Sequence, residues 1–80
     1  MPVVNVSLVE GVFSSEQKEE MISKITDVMV SLEGEFMRDK TFVLIEEIKS
    51  GNWGIGGKAM TTDAIKAKVA QMKAEAESAK

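Results

Sequence analysis

The chain has 80 residues, of which 44% are apolar and 29% are charged, a composition typical of a folded globular domain rather than a disordered chain. With no cysteine and no histidine, it can form neither disulfides nor a Cys/His metal site, and it lacks the commonest general base. A formal net charge of −3 argues against a nucleic-acid partner, and no apolar run approaches the length that spans a membrane.

The first predicted element is a β-strand over Val3–Val9. Its residues are rich in valine, and the apolar side chains alternate so that Val4, Val6 and Leu8 share one face. Gly11 ends this strand, because glycine commonly interrupts regular structure at turns.

A helix is predicted next, between Ser14 and Gly34. Ser14 can serve as its N-cap, Gln17 can complete a capping box, and Gly34 stands where a terminating glycine is expected. Apolar residues at helical spacing are predicted to form its core-facing stripe: Met21, Ile22, Ile25, Val28, Met29 and Leu32. Lys18 and Thr26 are predicted to face solvent.

A short connector leads to a second predicted strand over 41–48. Apolar residues fall on both of its faces, with Phe42 and Leu44 on one and Val43 and Ile45 on the other. That pattern is typical of a strand covered on both sides, as in a parallel pair. Strand, helix and strand in this order predict a βαβ unit with a right-handed crossover, and therefore an α/β fold.

The glycine-rich segment 50–57 is predicted to form a tight, hairpin-like turn with Trp53 as a packing anchor. Phosphate binding is the less favoured interpretation, because the segment has no Gly-Lys-Ser or Gly-Lys-Thr ending and no long helix starts directly after it. We therefore expect a structural turn here.

A C-terminal helix is predicted over Thr62–Ser78, with Thr62 as its cap. Ile65, Val69 and Met72 form a stripe too narrow for a core helix. Three interpretations of this helix stay open: a lid packed against the body or a neighbouring subunit, a solvated tail, and a module that binds a partner.

We expect one domain over residues 1–80, with its core in 2–58 and the last helix as an extension. A two-stranded sheet is not stable alone, and a domain this small without disulfides or metals often relies on oligomerisation. Two copies could pair into a four-stranded sheet with two helices on one face, and a ring of dimers could cover the other face. We therefore expect a homo-oligomer, with a small monomer as the alternative.

Pro2 directly follows Met1, and a small second residue commonly permits removal of the initiator methionine. Removal would leave an N-terminal secondary amine. A free α-amino group has a pKa of about 8, and an apolar pocket or nearby cations would lower it towards neutrality. Pro2 is therefore a candidate general base in a chain without histidine. A proline that merely opens an edge strand is the alternative.

Three segments, MPVVNVSLVEG, SSEQKEEMISKITDVM and TFVLIEEIKSGNWGIGG, together resemble the 4-oxalocrotonate tautomerase family over residues 1–58. The resemblance implies a βαβ subunit, dimers with a four-stranded sheet, and a hexamer built as a trimer of dimers. It also implies an isomerase whose amino-terminal proline moves a proton within the enol or dienol of a small 2-oxo acid. No cofactor and no metal are expected.

The resemblance assigns site residues position by position. Pro2 matches the catalytic proline, and Trp53 matches an aromatic residue that keeps the pocket apolar. Val12 and Phe42 stand where well-known members carry two arginines that grip the substrate's carboxylates. Neither side chain can donate a hydrogen bond, so a monocarboxylate such as an aryl-pyruvate enol fits better than a dicarboxylate.

Lys40 and Arg38 are the best candidates to replace those arginines as substrate-binding cations, although each could be a solvated surface charge. The alternatives to a tautomerase are a non-catalytic oligomer with this fold and a related proline-dependent hydratase, dehalogenase or decarboxylase. A sample that retains Met1 should be inactive, because Pro2 is then an amide. The N-terminus carries no secretory signal, so the cytoplasm is the predicted compartment.

Overall fold

The computed structural model describes residues 1–78. Its elements follow one another as β1 (Val3–Val9), α1 (Ser15–Glu33), a 3-10 segment (Glu35–Lys40), β2 (Phe42–Ile48), β3 (Trp53–Ile55), β4 (Lys58–Met60) and α2 (Thr62–Ser78). The mixed α/β class and the C-terminal helix are therefore confirmed, and the predicted connector is a 3-10 helix. The chain divides into two compact units, one of Met1–Leu8 with Phe13–Glu47 and one of Val9–Val12 with the residues from Ile48 onwards.

β1 and β2 pair in a two-stranded sheet. In the first unit, the backbone N–H of Phe42 donates to the carbonyl oxygen of Pro2 at 3.1 Å. In the second unit, the N–H of Glu10 donates to the carbonyl oxygen of Ile48 at 2.8 Å. The earlier residues of both strands pair with each other, as do the later ones, so the two strands are parallel and form the predicted βαβ unit with α1.

The ends of α1 are set by local sequence, as predicted. Ser14 Oγ accepts from the N–H of Gln17 at 3.1 Å, and Gln17 Oε1 accepts from the N–H of Ser14 at 2.8 Å, which completes the capping box. Gly34 ends the helix with a φ of 111°, a left-handed conformation that favours glycine. A Cβ at Gly34 would also lie 2.8 Å from the ring of Phe36.

The predicted core-facing stripe of α1 is wrong in part. Val30, which was not in that stripe, is 5% exposed, whereas Val28 and Leu32 are 60% and 80% exposed. The inner side of the helix is rotated towards Thr26 and Val30, and it still includes the half-buried Met21, Ile25 and Met29 of the predicted stripe. Thr26 is accommodated there because its hydroxyl donates to the carbonyl oxygen of Ile22 at 2.7 Å, so no polar group is left unpaired.

Lys18 does not point freely into solvent. Its Nζ lies 2.9 Å from Oε1 of Glu47, with the two side chains 24% and 35% exposed. This partly covered ion pair links α1 to β2 within the first unit and corrects the assignment of Lys18 to the solvent face.

The sheet face that carries Val3, Phe42 and Leu44 is open in a single chain. These side chains are 51%, 44% and 54% exposed, whereas Val43 and Ile45 on the opposite face are half-buried. The prediction that both faces of β2 are covered is therefore not met within one chain. Large apolar side chains left together on one face are typical of an interaction surface.

In the second unit, β3 and β4 form the predicted hairpin. The strands are antiparallel, with Trp53 opposite Met60 and Ile55 opposite Lys58. The two glycines between the strands have φ values of 59° and 84°. Positive φ at both turn residues is the geometry that a two-residue hairpin requires and that glycine adopts without strain.

The start of α2 differs in detail from the prediction. The cap is Thr61, whose hydroxyl accepts from the N–H of Ala64 at 3.1 Å, and not Thr62. Thr62 instead donates its hydroxyl to the carbonyl oxygen of Glu10 at 2.7 Å, which ties the helix to the turn after β1. Val69 and Met72 are 44% and 53% exposed, so the later turns of α2 bury little of their stripe. None of the helices within residues 1–78 is long and apolar enough to cross a membrane.

Candidate active site

Pro2 stands immediately before β1 and is half-buried, while Met1 before it is 77% exposed. The carbonyl oxygen of Pro2 is held by the N–H of Phe42. In the chain as it stands, the nitrogen of Pro2 belongs to a tertiary amide, which has no basic lone pair. Release of the exposed Met1 would convert it into a secondary amine at the head of the strand.

Phe42 is the first residue of β2, and the backbone hydrogen bond makes it the neighbour of Pro2. Its ring is 44% exposed and lies on the open sheet face with Val3 and Leu44. The strand neighbour of Pro2 at this point is therefore an apolar residue. An apolar environment disfavours the charged form of an amine.

Lys40 is the last residue of the 3-10 segment, two residues before Phe42. Its side chain is exposed, and within residues 1–78 its ammonium group makes no ion pair or hydrogen bond. It is therefore a cation close in the chain to the Pro2–Phe42 junction whose donors are unused by the described part of the protein.

Arg38, in the middle of the same segment, is already occupied. Its Nε and Nη2 donate to the two carboxylate oxygens of Glu35 at 2.7 and 3.2 Å, and its Nη1 donates to Oδ1 of Asp27 at 2.9 Å. The hydrogen bonds that Arg38 donates to Glu35 and then to Asp27 raise the pKa of Arg38, and the bond from Arg38 lowers the pKa of Glu35. Both partners were missed by sequence reasoning. The i,i+3 spacing of Glu35 and Arg38 is a readable signal, whereas Asp27 lies too far away in the chain to give one.

Val12 and Trp53 belong to the second unit. Val12 lies in the loop after β1 and is half-buried, and Trp53 opens β3 and is also half-buried. Val12 has no side-chain donor and Trp53 has a single indole N–H, so neither can bind a carboxylate through paired donors as arginine does. Their assignment to the substrate pocket stays a prediction.

A shallow surface groove lies elsewhere, along the first half of α1. Its lining residues are Phe13, Gln17, Glu20, Met21 and Lys24. None of the predicted site residues lines it. Its polar groups are used locally, because Gln17 is in the capping box and Lys24 pairs with Glu20 at 2.6 Å. This groove does not offer the chemistry of an active site.

Most of the chain matches known proteins. The sequence model of the family described as "Tautomerase enzyme" matches residues 2–63. A probable tautomerase of Dickeya dadantii is 36% identical over 61 residues, which cover 76% of this chain and 90% of that protein. A probable tautomerase of Campylobacter jejuni is 34% identical over 71 residues, which cover 89% of this chain and all of that protein.

Solved structures give the same result. A 4-oxalocrotonate tautomerase homologue superposes with a TM-score of 0.67 at 30% identity, covering 74% of this chain and 90% of that one. DmpI from Helicobacter pylori superposes with a TM-score of 0.62 at 33% identity, covering 72% of this chain and 94% of that one. The α/β chain with a proline at the head of its first strand thus belongs to the tautomerase family. Tautomerases are isomerases, so the predicted family and enzyme class are confirmed.

Proposed function

We propose that Pro2, after removal of Met1, is the general base that transfers a proton within the enol of a small 2-oxo acid. The observation that carries this proposal is the position of Pro2, half-buried at the start of β1 with its carbonyl oxygen bonded to Phe42. The family match also begins at this residue. The chain has no histidine or cysteine that could take the role instead.

In the proposed reaction, the neutral amine of Pro2 accepts the proton of the enol hydroxyl. The carbon–oxygen bond becomes a carbonyl as the carbon–carbon double bond shifts, and the protonated amine returns the proton to carbon. Atoms and charge balance, and the base is regenerated. An apolar pocket around the amine would disfavour its charged form and so increase the neutral fraction near neutral pH.

Substrate binding is proposed to depend on Lys40. A carboxylate of the substrate would accept hydrogen bonds from its ammonium group, while Phe42 provides apolar surface and helps to exclude water. Because Lys40, two residues before Phe42, is a single cation without an ion pair in residues 1–78, a monocarboxylate such as an aryl-pyruvate enol is the proposed substrate class. A second carboxylate would have to be desolvated against Phe42 without a partner, which costs free energy.

A homo-oligomer is proposed as the working form. The support is the open sheet face with Val3, Phe42 and Leu44, whose exposure is unfavourable in a free monomer. Two chains could join their sheets edge to edge in a dimer, and packing of such dimers in a trimer of dimers would cover part of this open face. That the chain forms one domain and that it works in the cytoplasm stay predictions.

The test combines intact mass spectrometry with a proton-transfer assay. Processed protein beginning at Pro2 should accelerate ketonisation of an aryl-pyruvate enol, and Pro2→Ala should reduce kcat/KM by about 100-fold or more, the usual contribution of a general base. A form that retains Met1 should be as inactive as buffer. A non-catalytic oligomer is the alternative, since Val12 and Phe42 offer no donors. Processed protein no faster than Pro2→Ala would establish that alternative instead.

A further inference from the structure

The 3-10 segment Glu35–Lys40 is connected to α1 by one guanidinium group. Arg38 holds Glu35, three residues earlier in the same segment, with two of its nitrogens, and it holds Asp27 of α1 with a third. The planar guanidinium group is suited to bonding two carboxylates at once, because its N–H donors are fixed relative to one another. Arg38 therefore joins two elements rather than extending alone into solvent.

The residue after Lys40 is anchored independently. The hydroxyl of Thr41 donates to Oε2 of Glu33 at 2.7 Å and to the carbonyl oxygen of Met37 at 2.9 Å. The N–H of Phe42 is bonded to Pro2. The backbone of Lys40 thus lies between two anchored points, Arg38 on one side and Thr41 on the other.

The charges within this cluster argue against direct substrate binding by Arg38. Two carboxylates already accept from its guanidinium, so a substrate carboxylate would have to displace one of them and would be repelled by the other. Lys40 has no such competitor among residues 1–78. Lys40 therefore has free hydrogen-bond donors, whereas the guanidinium of Arg38 is fixed by its two partners.

We propose that Arg38 is a positioning residue, which with Asp27 and Glu35 holds the 3-10 segment so that Lys40 presents its ammonium group beside Phe42 and Pro2. This inference rests on the proposed function, because it assumes that Lys40 binds the substrate's carboxylate. It replaces the direct role that the sequence suggested for Arg38. If the inference is correct, substitution of Arg38 weakens substrate binding only when Lys40 is present.

The experiment is a double-mutant cycle on the full processed protein. Lys40→Met should raise the KM for an aryl-pyruvate enol by about tenfold, the lower end for a hydrogen bond to a charged group. Arg38→Met should raise it by about threefold to tenfold with kcat little changed, because partly exposed ion pairs are individually weak. In the Lys40→Met background, Arg38→Met should have no further effect. Asp27→Asn, which keeps shape but removes one contact, should reproduce a smaller part of the Arg38 effect.

The methyl ester of the same substrate separates positioning from general damage. Without a carboxylate, its KM should be the same in wild type and in Arg38→Met, whereas a merely structural defect would alter both substrates. Glu20→Gln breaks a comparable exposed pair with Lys24 and serves as the control that should change neither.

Two results would overturn the inference: additive effects of Arg38→Met and Lys40→Met, which would mean direct binding, or an unchanged KM in both Arg38→Met and Asp27→Asn. Each is distinct from failure of the proposed function, which is judged by the Pro2→Ala comparison in the same assay.

Discussion

Phe42 and Pro2 are joined by one backbone hydrogen bond of 3.1 Å, from the N–H of Phe42 to the carbonyl oxygen of Pro2. The bond uses the carbonyl of Pro2 and leaves its nitrogen free of this contact. It is also independent of the side chain at position 42. The side chain at position 42 can therefore be changed by substitution without removing the bond that holds the proline.

Phe42→Arg is expected to change substrate preference. The guanidinium would offer paired donors to a second carboxylate, which Phe42 cannot do. We expect the ratio of kcat/KM for a dicarboxylate dienol to that for an aryl-pyruvate enol to rise by about tenfold, the lower end for charge-assisted bonds. Steady-state kinetics with both substrates measures this ratio. Phe42→Leu, which stays apolar, should leave the ratio unchanged, and an equal ratio in the two variants would contradict the prediction.

Leu44→Gln is expected to weaken the oligomer. Leu44 is 54% exposed on the open sheet face, and burying an unpaired amide in place of its apolar side chain would disfavour association. Light scattering coupled to size exclusion should report a lower mass at low micromolar concentration. Leu32→Gln makes the same change at a residue of α1 that is 80% exposed and lies outside this face, and it is the matched control. A wild-type mass for Leu44→Gln would exclude this face as the interface.

Ser14→Ala is expected to destabilise the protein. It removes the hydroxyl that accepts from Gln17 at 3.1 Å and so leaves a helix N–H unpaired. Loss of such a cap lowers the free energy of unfolding by about 1 kcal/mol. Urea denaturation at one fixed protein concentration measures it, since an oligomer's stability depends on concentration. Ser15→Ala, one residue into the helix, should cost distinctly less, and equal losses would argue against the cap.

The carboxyl group of Glu35 is expected to titrate below the ordinary value of about 4.3, because the hydrogen bond from Arg38 lowers its pKa. A lowered folded-state pKa contributes stability that is present above the unfolded value and is lost as the pH falls through the folded value. Carbon-13 NMR of the carboxyl group should report this low midpoint, and Arg38→Met should raise it. Lys24→Met should instead raise the midpoint of Glu20, whose pKa is lowered by Lys24, and leave Glu35 unchanged. A titration midpoint of Glu35 that is the same in wild type and in Arg38→Met would contradict the ion pair.

Much of the architecture could be predicted from local sequence. Ser14 with Gln17 set the start of α1, Gly34 set its end, and the two glycines before Lys58 set the hairpin turn. These features depend on residues a few positions apart, so their hydrogen bonds and φ angles are determined by the local chain. The family resemblance and the candidate base Pro2 also came from the sequence alone.

Other features were decided only by the tertiary structure, because they depend on contacts between residues that are distant in the chain. Which stripe of α1 is buried, so that Val30 is inside and Leu32 outside, is decided by tertiary packing, because a helical repeat allows several neighbouring stripes. The pairing of Arg38 with Asp27, eleven residues away, turned a predicted ligand-binding cation into an internal contact. Among residues 1–78, the donors of Lys40 are left unused, and no periodicity in the sequence distinguishes these two neighbouring charges.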